Sequence, residues 1–161
     1  MFEFIVSCPC GSTDSSVPIA ASRAGALGVV NLEYSTSPED GRADEERTAY
    51  WFAIVQPERG ELIGEIGLVG ISWPSRRAGL SILVLPRSRR TGVGREAIEL
   101  MMGWAQSELG LHRIELHTLP ENAPMQGLAE AAGFRHEGVL RDYGFERGRF
   151  VDNVVYARLL V

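Results

Sequence analysis

The run Arg89-Arg90-Thr91-Gly92-Val93-Gly94 constrains the fold of this chain more than any other. It follows an apolar stretch, Gly79 to Leu85, that reads as a strand. It precedes a segment, Val93 to Leu109, with helical spacing of apolar residues: Ala97, Met101, Ala105 and Leu109 on one stripe, Ile98 and Met102 beside it. A strand that feeds a glycine turn opening a helix aims several backbone N–H groups at one point, and the helix N-terminus adds partial positive charge. Gly92 and Gly94 keep side chains away from that point, and Arg89 and Arg90 add charge-assisted donors. Taken alone, the hexapeptide reads first as a tight turn with solvated arginines. It lacks the lysine and Ser/Thr of a nucleotide-triphosphate loop and the full dinucleotide fingerprint. A coenzyme carrying a diphosphate stays open.

Around this turn the rest of the chain falls into order. Phe2 to Ser7 reads as a strand, Pro18 to Leu27 as a helix, Val29 to Tyr34 as a strand and Ala43 to Thr48 as a helix end. Ala49 to Val55, Leu62 to Ile71 and Gly79 to Leu85 read as three antiparallel strands, with turns at Pro57–Gly60 and Ser72–Arg77. His112 to Thr118 alternates apolar and polar as a half-buried strand does. Asn122 is an N-cap candidate for a short helix to Ala132, with Pro124 in its first turn and Gly133 as its stop. Phe134 to Leu140 and Arg149 to Leu160 read as the last strands, joined through Gly144 to Gly148.

Composition narrows the function classes. The chain has 161 residues, enough for one ordinary domain with a core, and 45% hydrophobic with 23% charged residues is a globular balance. A formal net charge of −5 argues against nucleic acid as a partner. No apolar run reaches membrane-spanning length, and no basic segment precedes an apolar one at the start, so no membrane and a cytoplasmic location are expected. Cys8 and Cys10 are too close for an ordinary disulfide, and nothing beside them completes a metal site.

From about Tyr50 onward the chain resembles the GNAT superfamily of acyl-CoA-dependent N-acetyltransferases, and within it the branch that acetylates N-terminal alanines of ribosomal proteins. The matching pieces occur in order: Leu62 to Leu68 (L-I-G-E-I-G-L), Arg89 to Gly94, Gly110 to Leu116 (G-L-H-R-I-E-L), Asn122, Glu130 to Phe134 (E-A-A-G-F), Glu137 to Arg141 (E-G-V-L-R) and Asp152 to Leu159. The resemblance implies an α/β (α+β) fold with a mixed central sheet flanked by helices. In it the parallel strands Gly79–Leu85 and His112–Thr118 splay apart to admit the pantetheine arm of acetyl-CoA. It further implies that the diphosphate lies on backbone N–H groups of Arg90 to Arg95. The expected coenzyme contacts are thus Arg89, Arg90, Thr91, Gly92, Val93, Gly94 and Arg95, with Val84, Leu85, Asn122 and Met125. Residues 18–32 instead resemble the opening strand–helix–strand unit of a nitronate-monooxygenase-type flavin barrel, a segment too short to complete eight strands. The expected organisation is one domain over 1–161, with an atypical segment at 1–48 and the coenzyme-binding core at 49–161.

The implied reaction is direct transfer of an acetyl group to a primary amine, on a protein N-terminus or a small molecule. An α-amino group titrates near ~7.7–8.0, so it is partly neutral near pH 7, whereas a lysine titrates near ~10.4. A modest base therefore suffices for a terminal amine. An N–H at the splay, from Val84 or Leu85, is the candidate oxyanion donor. Glu65 and Tyr143 are the catalytic candidates, with Asp142, Glu115 and His117 nearby in the pattern. Relatives often carry a serine three residues beyond the helix-opening asparagine as a proton donor to the leaving thiolate, and Met125 in its place cannot donate. Two other readings follow: a coenzyme-binding module with little catalysis, and an acyltransferase of a biosynthetic pathway. Exposed sheet edges make a homodimer an expectation.

Overall fold

A computed structural model describes residues 28–31, 48–56 and 60–161. Among these residues, seven strands form one mixed sheet: β1 (Gly28–Asn31), β2 (Ala49–Gln56), β3 (Glu61–Ser72), β4 (Arg77–Val84), β5 (Arg113–Thr118), β6 (Arg135–Glu146) and β7 (Arg149–Leu159). Their spatial order is β1-β2-β3-β4-β5-β7-β6, and only β4 and β5 run parallel. Between those two the chain passes through helix α1 (Val93–Ser107), the crossover that parallel neighbours require. Helix α2 (Ala123–Ala131) connects β5 to β6. No helix among the described residues is long and apolar enough to cross a membrane.

The three antiparallel strands expected before the glycine turn are present in register, Phe52 opposite Ile66 and Ile66 opposite Ile82. Glycine at position 64 is a packing requirement, because a Cβ there would lie 2.4 Å from the Leu83 carbonyl oxygen. Val29 to Asn31 does form part of an edge strand, but antiparallel to β2 in this same sheet. That stretch of the barrel-like segment therefore belongs to the same sheet as the rest of the chain. The expected elements at Phe2–Ser7, Pro18–Leu27 and Ala43–Thr48, and most of the Pro57–Gly60 turn, lie outside the described residues.

One boundary differs by more than two residues. The last hairpin was expected to turn over Gly144–Gly148, yet β6 continues to Glu146 and the turn tightens to Arg147 and Gly148, both at positive φ. Gly144 is opposite Val151 inside the ladder. Gly144, which suggested loop, instead accompanies an irregularity within a long strand, as Gly138 does, which is the other meaning of glycine in a strand pattern.

Both helices cover one face of the sheet. The α1 stripe buries Val93, Ala97, Ile98, Met101, Met102 and Ala105 against Tyr50, Phe52, Ile66, Leu68 and Leu80. Each fully buried Ile or Met side chain contributes roughly 1.5–3 kcal/mol. Trp104 packs edge-on to Tyr50 and Phe52, with centroids 5.0 and 4.9 Å away. On β7, Arg158 ties the helices together: its Nη1 donates to both Glu99 oxygens (2.9 Å each) on α1 and to the Ala132 carbonyl (2.8 Å) at the end of α2.

Candidate functional site

β4 and β5 are joined at one end and open at the other. At the closed end the Arg76 carbonyl accepts the N–H groups of His112 (2.7 Å) and Arg113 (3.1 Å), and Arg76 Nε donates to the Gly110 carbonyl (2.6 Å). Pairing then runs through Arg77↔Arg113, Ala78↔Ile114 and Gly79↔Glu115, and stops. Beyond it β4 stays with β3 as far as Val84↔Gly64, while β5 stays with β7 as far as Thr118↔Val154. The inner edges of Leu80–Val84 and Leu116–Thr118 are thus left facing one another without a ladder. This is the divergence expected of these two parallel strands.

The alternation of the antiparallel ladder fixes which amides face that gap. Leu85 donates its N–H to the Ile63 carbonyl at 2.8 Å, so Leu85, Leu83 and Ser81 turn their backbone groups toward β3. Leu80, Ile82 and Val84 turn theirs toward β5. Of the two expected oxyanion donors, Val84 therefore faces the gap, and the Leu85 amide is already engaged.

After β4 the chain makes a single 3₁₀ turn, Pro86–Ser88, and a tight loop. The loop is held from within. Arg89 Nε donates to the Val84 carbonyl (2.9 Å), and Thr91 Oγ1 donates to the Ser88 carbonyl (2.7 Å). Arg87 pairs with Glu61 at 2.6 Å. Arg90 (φ +64) and Gly92 (φ +90) reverse the chain into α1. Gly92 is the N-cap and offers no side-chain acceptor, and the first helical bond runs from the Glu96 N–H to the Gly92 carbonyl (3.1 Å). The amides of Val93, Gly94 and Arg95 are left without acceptors among the described residues. Arg90 and Arg95 are exposed and make no ion pair among them. A concave set of free N–H groups beside two uncommitted guanidinium groups suits an anion.

Gly94 has a packing part besides the one its motif suggests. A Cβ there would lie 3.1 Å from Leu128 Cδ2 and 3.8 Å from Val84 Cγ2, so its missing side chain seats α1 against α2 and the end of β4. At Gly92 a Cβ would meet nothing within 4 Å. Asn122 caps α2, its Oδ1 accepting the Met125 N–H at 3.2 Å, which leaves its amide NH₂ for other partners. Met125 packs part-buried against the core.

The face of the gap away from the helices carries a polar row. Arg113 donates through Nε to Glu115 Oε1 (2.8 Å) and binds both oxygens of Glu137 on β6. Arg77 Nη1 lies 3.6 Å and His117 Nε2 3.7 Å from Glu115 Oε2. Hydrogen bonds from Arg113 hold the carboxyls of Glu115 and Glu137 below the usual glutamate range, and both carboxylates raise Arg113 further. Tyr143 sits edge-on to His117 with centroids 5.4 Å apart. Glu65, half-buried opposite Ala53 and Leu83, lies on the same face beyond β4. Glu65 and Tyr143 therefore flank the gap from opposite sides of one face and do not touch. On the other face the Tyr156 hydroxyl lies 3.4 Å from Gln126 Oε1 and 3.3 Å from Glu130 Oε1, and burial followed by the Glu130 charge raises its pKa. Sequence spacing did not reveal the Arg113–Glu137 pair, which forms across β7.

Comparisons with known proteins agree with this fold. A family model described as an acetyltransferase (GNAT) domain matches residues 21–135. The match starts well upstream of Tyr50, so part of the segment expected to be atypical falls within the family domain. An uncharacterised N-acetyltransferase, YoaA, of Bacillus subtilis (strain 168) is 34% identical over 70% of this chain and 63% of its own length. The structure of spermidine N-acetyltransferase from Vibrio cholerae in complex with CoA and spermine superposes with a TM-score of 0.66 at 28% identity, covering 74% of this chain and 70% of that one. The [ribosomal protein uS5]-alanine N-acetyltransferase of Escherichia coli (strain K12) is 26% identical over 68% of this chain and 57% of its own length. The chain spans a little under two thirds of the curated relatives it matches.

Proposed function

The chain belongs to the GNAT acetyltransferase family, and on that premise we propose that it moves an acetyl group from acetyl-CoA to a primary amine by direct transfer. The observation that carries this reading is the end of β4–β5 pairing at Gly79↔Glu115 while both strands run on. An extended arm fits that opening and can hydrogen-bond to the free edge of β4 as an added strand would.

The coenzyme supplies the activated acetyl thioester: the amine nitrogen forms a bond to its carbonyl carbon, the C–S bond breaks, and the thiol leaves. The chain does the rest. The amides of Val93, Gly94 and Arg95, with the Arg90 and Arg95 side chains, bind the diphosphate. Arg89 and Thr91 hold the loop in shape for it. The Val84 N–H faces the acyl oxygen and stabilises the charge that builds there. Asn122 contributes its NH₂ and Met125 an apolar wall. On the other side of the gap Glu65 takes the proton from the amine, directly or through water, and the Tyr143 hydroxyl assists the exchange. The acceptor is a protein N-terminus or a small-molecule amine, met in the cytoplasm by a homodimer, and the domain spans 1–161.

Met125 favours a second reading, a coenzyme-binding module with little turnover, since methionine has no proton for the leaving thiolate. Calorimetry with acetyl-CoA and a thiol-release assay over a panel of amines separate the two. Amine-stimulated release supports the enzyme. Binding without release under any amine gives the module, and no binding at all defeats both.

A further inference from the structure

We propose that Asp152 is a positioning residue for acetyl transfer, pinning the irregular segment of β6 that hangs Tyr143 over His117 on the amine side of the gap. The inference rests on the acetyltransferase reading above.

In the β6–β7 hairpin the extra residues all sit on β6. Between Leu140↔Asn153 and Gly144↔Val151, residues 141–143 oppose Asp152 alone. Such an insertion leaves backbone groups without ladder partners and bends the strand. Asp142, in its middle, adopts φ +51, a conformation few non-glycine residues enter. Its N–H is taken up by Asp152 Oδ1 at 2.9 Å, a charge-assisted bond. Asp152 makes no ion pair among the described residues, so this amide is the partner that accounts for its carboxylate.

The insertion has a consequence across the sheet. β6 and β5 are separated by β7, which places them about 9–10 Å apart. Tyr143 nevertheless brings its ring to 5.4 Å from His117 on β5. The single extra residue earlier in β6, between His136↔Tyr156 and Gly138↔Val155, is Glu137, and it too reaches across β7, to Arg113. Both irregularities send one side chain to the polar row of β5. Glu137 is held there by its ion pair. Among the described residues Tyr143 has only a ring contact, and the backbone that aims it is fixed by Asp152. His117 lies two residues past Glu115, where pairing with β4 ends, so the Tyr143–His117 contact stands at the edge of the gap. A two-residue insertion also preserves the alternation of faces, so the hairpin beyond it keeps its register. Its effect is confined to the wall that an acceptor amine meets.

The test uses the full chain with acetyl-CoA and whichever amine the wild type accepts best, and compares Asp152→Ala, Asp152→Asn, Tyr143→Ala and the Asp152→Ala/Tyr143→Ala double variant. A displacement of ~1 Å near the reacting atoms costs up to ~10²-fold. Asp152→Ala is therefore expected to lower kcat/KM for the amine by roughly ten-fold or more, in kcat as well as in the amine KM, with the acetyl-CoA Kd within about two-fold of wild type. Asp152→Asn, which keeps an oxygen acceptor for the Asp142 N–H, recovers most of the loss. The double variant is no worse than Tyr143→Ala, because both changes remove the same wall. Wild-type kcat/KM in Asp152→Ala overturns the inference. So does a double variant in which the two losses add, or a parallel loss of acetyl-CoA binding. A wild type that binds acetyl-CoA yet acetylates no amine overturns the function itself, and this inference with it.

Discussion

Placing tryptophan at Gly92 tests the anion site most directly. Gly92 is the N-cap of α1 at φ +90 and ψ −16, and the space a Cβ would enter is empty to 4 Å. Directly behind it are the Val93, Gly94 and Arg95 amides, unclaimed by any described acceptor. A hydrogen bond from such a donor to a charged oxygen is worth ~1.5–3 kcal/mol. An indole covering two of them removes ~3–6 kcal/mol, or ~10²–10⁴-fold in Kd for acetyl-CoA. The substitution also forces an L-residue into the left-handed region, at about 1–2 kcal/mol, which lowers Tm by about 2–8 °C for a chain of this size. Gly92→Ala separates the two effects: it carries the backbone strain but leaves the amides uncovered. Calorimetry with acetyl-CoA on all three proteins, beside thermal melts followed by circular dichroism, reads both quantities. Folded Gly92→Trp binding acetyl-CoA within about two-fold of wild type would falsify the assignment of these amides to the diphosphate. Equal loss in the alanine and tryptophan variants would show that loop shape, and not access, sets the affinity.

Three further outcomes are expected. Met125→Ser leaves turnover unchanged or raises it, measured by thiol release; a large loss in a folded variant shows that the part-buried Met125 is a wall the site requires. The Glu115 carboxyl is held below its ordinary range by Arg113, so its contribution to stability is present above the unfolded value of ~4.3 and is lost as pH falls through the lower folded value. Glu115→Gln should lower Tm at neutral pH and flatten its fall below about pH 4–5; an acid limb as steep as wild type means that this carboxylate does not drive it. Gly103, exposed on α1 with room for a Cβ, should accept alanine with a gain of about 0.5–1 kcal/mol, read as a higher urea midpoint, and a lower midpoint contradicts the helix geometry.

Local interactions were legible in the chain because they are short-range. Strands β2 to β4 announced themselves by composition and the turns between them, α1 by its apolar stripe, and α2 by the Asn122 cap; the strands pair with their sequence neighbours, and the helix signals lie within a turn or a few turns. The loop from Arg89 to Gly94 was legible for the same reason: a strand end, a positive-φ glycine and an uncapped helix start lie within ten residues. The amine side was not. Whether Val84 or Leu85 faces the gap depends on which ladder hydrogen bonds β3 takes, and the Leu85–Ile63 bond decides it. Gly94 reads as an anion-site glycine until Leu128, more than thirty residues away, is found against it. Glu137 and Tyr143 reach the β5 row only because β6 carries extra residues opposite a regular β7. Sequence by itself determined which segments form and that a glycine turn opens α1. The divergence of β4 from β5, and the set of charges beside it, were decided by tertiary structure, because hydrogen bonds between distant strands choose their partners only once the sheet is assembled.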